Sequence, residues 1–169
     1  VLQGDVKYHE ETTMINAEQL RKYVVIPELK RLGLHSKAAE NLVMGTAAQE
    51  SKMGEYLKQL GDGPARGIFQ MEQATEKDIW INYLAYKPKL RDKVLAITAT
   101  KTPYYQDEML YNLRYAAAMC RIHYLRKRGS LPDHDDVEGL GSYWKDHYNT
   151  YLGRGTVEEF VRNYRLTTT

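Results

Sequence analysis

Between Thr102 and Gly129, Leu110, Leu113, Ala117, Cys120 and Tyr124 recur at alternating three- and four-residue spacing, the repeat of one helix face. Thr102 and Pro103 supply an N-cap and a first-turn proline. Arg126, Lys127 and Arg128 put cations in the last turn, where they favour the helix dipole, and Gly129 stops the segment. The spacing predicts one long helix here. No convincing run of period-two alternation appears anywhere in the chain, so the expected fold class is all-α.

The remaining segments read the same way. Asn16 caps a helix over 17–32 that Gly33 ends, and Pro27 must kink it or begin a second helix. Ser36 caps a helix running to about Gln49, with Ala39, Leu42, Val43 and Thr46 along one stripe. A shorter helix is expected around Gly54–Leu60, ending in "GDGP". Thr75 and Asp78 have capping-box spacing before "DIWINYLAY", and another helix covers Lys89–Ala99. Residues 136–148 place Val137, Leu140, Tyr143, Trp144 and His147 near one face, and Thr156 with Glu159 boxes the start of a final helix. At 169 residues, with 43% apolar and 27% charged residues, the chain is expected to form a single domain over 16–169, with 1–15 as an N-terminal extension.

Composition narrows the function classes. The net charge of +2 is too small, and the basic residues too scattered, to argue for a nucleic-acid partner. One cysteine excludes an internal disulfide framework. No apolar run approaches the roughly 20 residues that span a bilayer, and no signal peptide opens the chain. A first residue of Val1 rather than methionine suggests a processed product or a domain cut from something longer. Fourteen tyrosines against two phenylalanines suit a polar cleft or a core whose aromatics reach the surface.

Glu50 stands at the end of an apolar helical run, two turns beyond Leu42 and Val43. Burial against apolar groups raises a carboxyl's pKa, and a helix end leaves one side open. Those are conditions for a general acid; the spacing fits an exposed helix-end carboxylate equally well. "AAQESKMG" followed by "ARGIFQMEQAT" resembles the Glu-Ser and Gly-Leu-Met-Gln-type motifs of lytic transglycosylases with the SLT domain, a lysozyme-like fold. "NLRYAAAMCRIHYL" is similar to that family's long helix after an asparagine, and "GLGSYWKDHYNT" stands where the family has a Tyr-Asn-Ala-Gly segment. The four matches span Ser36–Asn149 in the family's order.

The resemblance implies a lysozyme-like domain with a substrate cleft that acts on peptidoglycan glycan strands, with Glu50 as the sole catalytic acid/base. It implies that Ser51 hydrogen-bonds near the substrate, that Gly67, Ile68, Phe69 and Gln70 line the cleft, and that Tyr143 approaches Glu50. It implies neither a cofactor nor a metal. Two departures stand out. Gln73 replaces a frequent proline, and "YWKDHYN" replaces Tyr-Asn-Ala-Gly-Pro-Gly, so the tyrosine role falls on Tyr143 or on Tyr148, which Asn149 follows. The ending "YWKDHYNT…GRGT" looks more like the variants embedded in bacteriophage virion proteins, which implies a virion-associated location, action in the bacterial cell wall, and other virion or tail proteins as partners.

Two alternatives stay open. A hydrolytic muramidase needs a second carboxylate, for which Asp62 in "GDGP" is the first candidate, with Glu55 and Glu72 behind it; aspartate between glycines is also a standard turn residue. A non-catalytic virion module would keep the fold with Glu50 exposed or paired to a lysine. His134, Asp135, Asp136 and His147 lack fixed metal-ligand spacing, Cys120 and His123 read as buried, and Trp80 with Tyr83 and Tyr86 reads as packing or as a sugar platform.

Overall fold

The computed structural model describes residues 14–103, 107–149 and 153–168. The chain begins with α1 (Ala17–Leu20), passes through a π-helical turn at Arg21–Val25 and continues as α2 (Ile26–Leu32). Asn16 accepts from the Gln19 N–H, and Gly33 ends α2 at φ 72°. Pro27 falls in the first turn of α2, where its missing N–H is tolerated, and the wider π turn carries the chain into it without a break. Residues 1–13 of the expected N-terminal extension lie outside the described residues. Ile15 already belongs to the domain: its N–H donates to the Met53 carbonyl at 2.9 Å, and its side chain packs on the core.

The central element is α3 (Lys37–Ser51), capped by Ser36, whose Oγ accepts from the Ala39 N–H at 3.0 Å. It is buried without interruption from Ala39 to Ala48, the mark of a helix enclosed by others rather than laid on a surface. Small residues make that enclosure possible. A Cβ at Gly45 would stand 2.3 Å from the Phe160 ring, so α9 (Val157–Thr168) can pack this close only over a glycine. Thr46 satisfies its hydroxyl on the Leu42 carbonyl and the Tyr124 hydroxyl, both at 2.7 Å. The helices α7 (Leu113–Leu125) and α8 (Val137–Trp144) complete the shell around α3.

Past α3, a two-stranded antiparallel hairpin, β1 (Ala65–Arg66) with β2 (Met71–Glu72), leads into α4 (Gln73–Asn82), a 3-10 turn and α5 (Pro88–Leu95). The short α6 (Glu108–Tyr111) precedes α7. Mostly helical structure with this one small hairpin is the all-α class expected.

Several boundaries differ from expectation. Gly54–Leu60 is not helical: it is a turn followed by an isolated bridge, Lys58 to Arg66, because positive φ at Lys52, Met53 and Gly54 has already reversed the chain. Helix α4 starts at Gln73 directly from β2, so Thr75 caps nothing, and Asp78 binds Asn82 and Arg126 instead. The long helix does not begin at Thr102–Pro103. Asn112 caps α7 through its Oδ1, which accepts from the Tyr115 N–H at 3.0 Å; residues 104–106 lie outside the described residues. Helix α8, capped by Asp136, continues as a π turn over Lys145–Asn149. At α9 the expected box is present, with Glu159 N–H donating to Thr156 Oγ1 and Thr156 N–H to Glu159 Oε2.

Candidate active site

The site grows from the C-terminal end of α3. Lys52 at φ 50° and Met53 at φ 58° wind left-handed, and the Met53 N–H returns to the Ala47 carbonyl at 3.0 Å. The helix therefore stops one residue after Glu50, and the loop and hairpin that follow return beside its end. Gly67 makes this possible: at φ 78° a Cβ would meet the Met109 carbonyl oxygen at 2.2 Å. Ser51, fully buried, donates to the Ile68 carbonyl at 2.6 Å and accepts from the Gly54 N–H at 2.9 Å. That hydroxyl fastens the Gly67–Gln70 turn to the helix.

Above this turn lies an open cavity of about 580 Å³. Glu50, Tyr56, Gln59, Gln70 and Met71 line one part of it, and Glu72, Thr75, His123, Tyr148, Asn149 and Arg154 contribute to the rest. Glu50 is half-buried. Burial pushes its carboxyl up to about 7, and the indole N–H of Trp144, donating to Oε1 at 2.8 Å, only partly offsets that. No cation forms an ion pair with it among the described residues. A carboxyl in this state is half protonated near neutrality and can give a proton to a group in the cavity.

Four other cavity groups, Tyr148, His123, Gln70 and Tyr56, are held by hydrogen bonds. Tyr148 donates its hydroxyl to the Phe69 carbonyl at 2.6 Å, and burial drives its phenol well up. His123 Nδ1 takes a hydrogen bond from Arg126 Nη2 at 2.9 Å, which leaves the ring proton on Nε2. Burial, and then the charges of Arg126 and Lys127, hold that imidazole down at about 3. Gln70, at φ 48°, spends its amide on the Gly67 carbonyl at 2.9 Å. Tyr56 donates to the backbone carbonyl of Glu50 at 2.8 Å and clamps the helix end.

The structure thus brings Glu50, Gln70 and Tyr148 to one cavity and leaves other expected residues outside it. Ile68 and Phe69 bury their side chains in the core and take part through their carbonyls. Ser51 faces the turn rather than the cavity. Tyr143 is a correction: its ring packs on His147 at 4.3 Å and Tyr124 at 5.8 Å, outside the cavity wall, and its neighbour Trp144 contacts Glu50. Asp62 takes the turn role that its place between glycines suggests, and not that of a second carboxylate at the cavity. Its side chain is 99% exposed, at φ 61° in a turn and 3.7 Å from Lys58, whereas Glu72 is the other carboxylate lining the cavity. Trp80 is no sugar platform: it is buried, with its indole N–H on the Tyr115 hydroxyl at 2.9 Å. No grouping of three or more potential metal ligands occurs among the described residues.

Sequence reasoning missed Trp144, Tyr56 and Arg154 as site residues. Trp144 carried a signal, since it is one of two tryptophans and directly follows the tyrosine singled out for the role. What the fold and site define is a mainly helical domain presenting one neutralisable carboxyl to an open cavity. No protein-family model, curated protein or solved structure matches the chain.

Proposed function

We propose that this protein is a peptidoglycan lytic transglycosylase with a lysozyme-like helical domain, cleaving the β-1,4 bond between N-acetylmuramic acid and N-acetylglucosamine. The observation that carries the reading is Glu50, a carboxyl raised to about 7 beside a cavity and held by an N–H donor rather than a cation. The motifs around Glu50 and Gly67–Gln70 supply the substrate class by resemblance, and the resemblance of residues 143–156 to virion-embedded variants supplies the setting, local opening of the cell wall by a phage particle.

In the mechanism, the protonated Glu50 carboxyl gives its proton to the bridging oxygen. The C1–O bond breaks with its electron pair going to that oxygen, and an oxocarbenium-like centre develops at C1 of the muramic acid. The sugar's own acetamido group stabilises that centre, so no nucleophilic aspartate is needed. Glu50, now a carboxylate, removes the proton from the C6 hydroxyl as that oxygen closes on C1. The product is the 1,6-anhydro sugar, no water is consumed, and Glu50 regains its acid form. Gln70 and Tyr148 stiffen the wall against which the sugar lies, because both tie the Gly67–Gln70 turn.

A hydrolytic reading has one observation in its favour, the presence of Glu72 in the same cavity. Mass spectrometry of peptidoglycan digested with wild type and with Glu50→Gln separates the readings. Anhydro-muropeptides from wild type and none from the variant are expected. Reducing-end muropeptides would move the assignment to a hydrolase with Glu72 as second carboxylate. No release by wild type would overturn the enzymatic reading.

A further inference from the structure

Trp144 is placed with more care than packing requires. Its indole is fully buried and stacks on Phe160, with ring centroids 5.5 Å apart and planes 28° apart. Glycines make room on both sides of the pair. A Cβ at Gly45 would sit 2.3 Å from Phe160, and one at Gly155 would sit 2.6 Å from the indole. Gln49, beside Glu50, accepts from Asn163 at 2.7 Å and locks α3 against the helix that carries Phe160. Three elements therefore fix the position of one N–H, and that N–H points at Glu50 Oε1.

An indole nitrogen donates and never accepts. An oxygen that receives its hydrogen bond at 2.8 Å must offer a lone pair along that direction, which a carbonyl-type oxygen does and an acid hydroxyl does poorly. We infer that Trp144 is a positioning residue that marks Oε1 of Glu50 as the carbonyl oxygen, so that the transferable proton resides on Oε2, the oxygen left for the cavity. The same bond, kept through the reaction, stabilises the carboxylate that must later recover a proton.

Among the described residues, the side-chain hydrogen bond to the Glu50 carboxyl comes from Trp144 alone. The ionisable groups facing Glu50 are Tyr56, Tyr148 and His123 at the cavity and Cys120 and Tyr124 beneath it. Tyr56 and Tyr148 spend their hydroxyl protons on backbone carbonyls, the Tyr124 hydroxyl meets Thr46, and the His123 ring is engaged by Arg126 at Nδ1 and by the His147 backbone through its ring N–H. Arg154 and Glu72 line the same cavity without an ion pair to Glu50.

The catalytic part of this role rests on the reading of Glu50 as a general acid; the hydrogen-bonding part does not. Two measurements therefore go together. In wild type, the Trp144 indole N–H resonance should move with a midpoint near pH 7, following Glu50, and should stay put in Glu50→Gln. In Trp144→Phe, kcat for glycan cleavage should fall about tenfold with KM within about twofold, as expected when a reacting group loses its orientation. The alkaline limb of its pH profile should move up by about one pH unit, because the carboxylate has lost a donor. An indole resonance indifferent to pH and to Glu50→Gln would overturn the inference even if Trp144→Phe failed to fold. So would a folded Trp144→Phe with unchanged kcat and pH limb. Should wild type cleave no glycan, the proposed function fails and the indole resonance still decides the contact.

Discussion

The two ends of α3 treat a carboxylate in opposite ways. Glu40, in the first turn, is buried at 2% exposure and is met by Arg21, by His35 Nε2 at 3.0 Å and by Lys37 Nζ at 3.0 Å. Burial alone would raise its carboxyl, but the hydrogen bonds from His35, Arg21 and Lys37 outweigh it and hold the group at about 2. Glu50, in the last turn, has one neutral donor, and burial holds it at about 7. The contrast teaches that burial does not by itself make an acid. What separates a structural anion from a proton donor is whether cations accompany the carboxyl into the protein. Glu28, also buried, is likewise met by two cations, Arg31 and Arg114.

Glu76 is a third case, raised like Glu50 but placed away from the cavity. It is buried, raised to about 7 and bonded to Tyr115, and its Oε1 has no hydrogen-bond partner among the described residues, yet it does not line the cavity. A raised carboxyl therefore becomes a candidate catalyst only where a substrate can reach it.

The largest effect should come from breaking the Glu40 end. Arg21→Met leaves Glu40 charged and under-compensated, and chemical denaturation at pH 7 should show a loss of about 3 kcal/mol. A loss near zero would mean that Lys37 and His35 suffice. The next effect has the opposite sign. Glu40 titrates below its unfolded value, so its contribution is present above pH 4.5 and is lost as pH falls toward 2. Glu50 titrates above its unfolded value, so its contribution is present below pH 4.5 and is lost as pH rises through 7. Glu50→Gln removes that loss. The variant should match wild type near pH 4 and exceed it by about 3 kcal/mol at pH 8. Equal differences at both pH values would show that Glu50 is not under strain from burial.

Much of this architecture is legible in the sequence because its helix starts are chemically marked. Asn16, Ser36 and the Thr156–Glu159 pair all cap as their positions suggest. The failures share a cause, since caps compete with tertiary contacts that sequence does not display. Thr75 loses its place to a strand that runs straight into α4, and Asn112 outdoes Thr102–Pro103 as the start of α7. At the site, Glu50 and the turn 67–70 are readable, and the partner of Glu50 is not. Tyr143 and Trp144 are adjacent, about 100° apart around α8, and the π turn that follows changes the register before Tyr148. Trp144, stacked on Phe160 where Gly45 and Gly155 leave room, is the one of the two that reaches Glu50, a packing that the sequence does not display.

Helix α3 holds two glutamates in opposite protonation states, and of these two only Glu50 is an acid near neutral pH. A carbon-detected NMR titration of the glutamate carboxyls, with Glu40→Gln and Glu50→Gln to assign the two resonances, tests it in a single sample series. Glu50 should show a midpoint at about 7, and Glu40 should stay ionised down to about 2. A Glu50 that titrates between 4 and 5, as a solvated glutamate does, would contradict it.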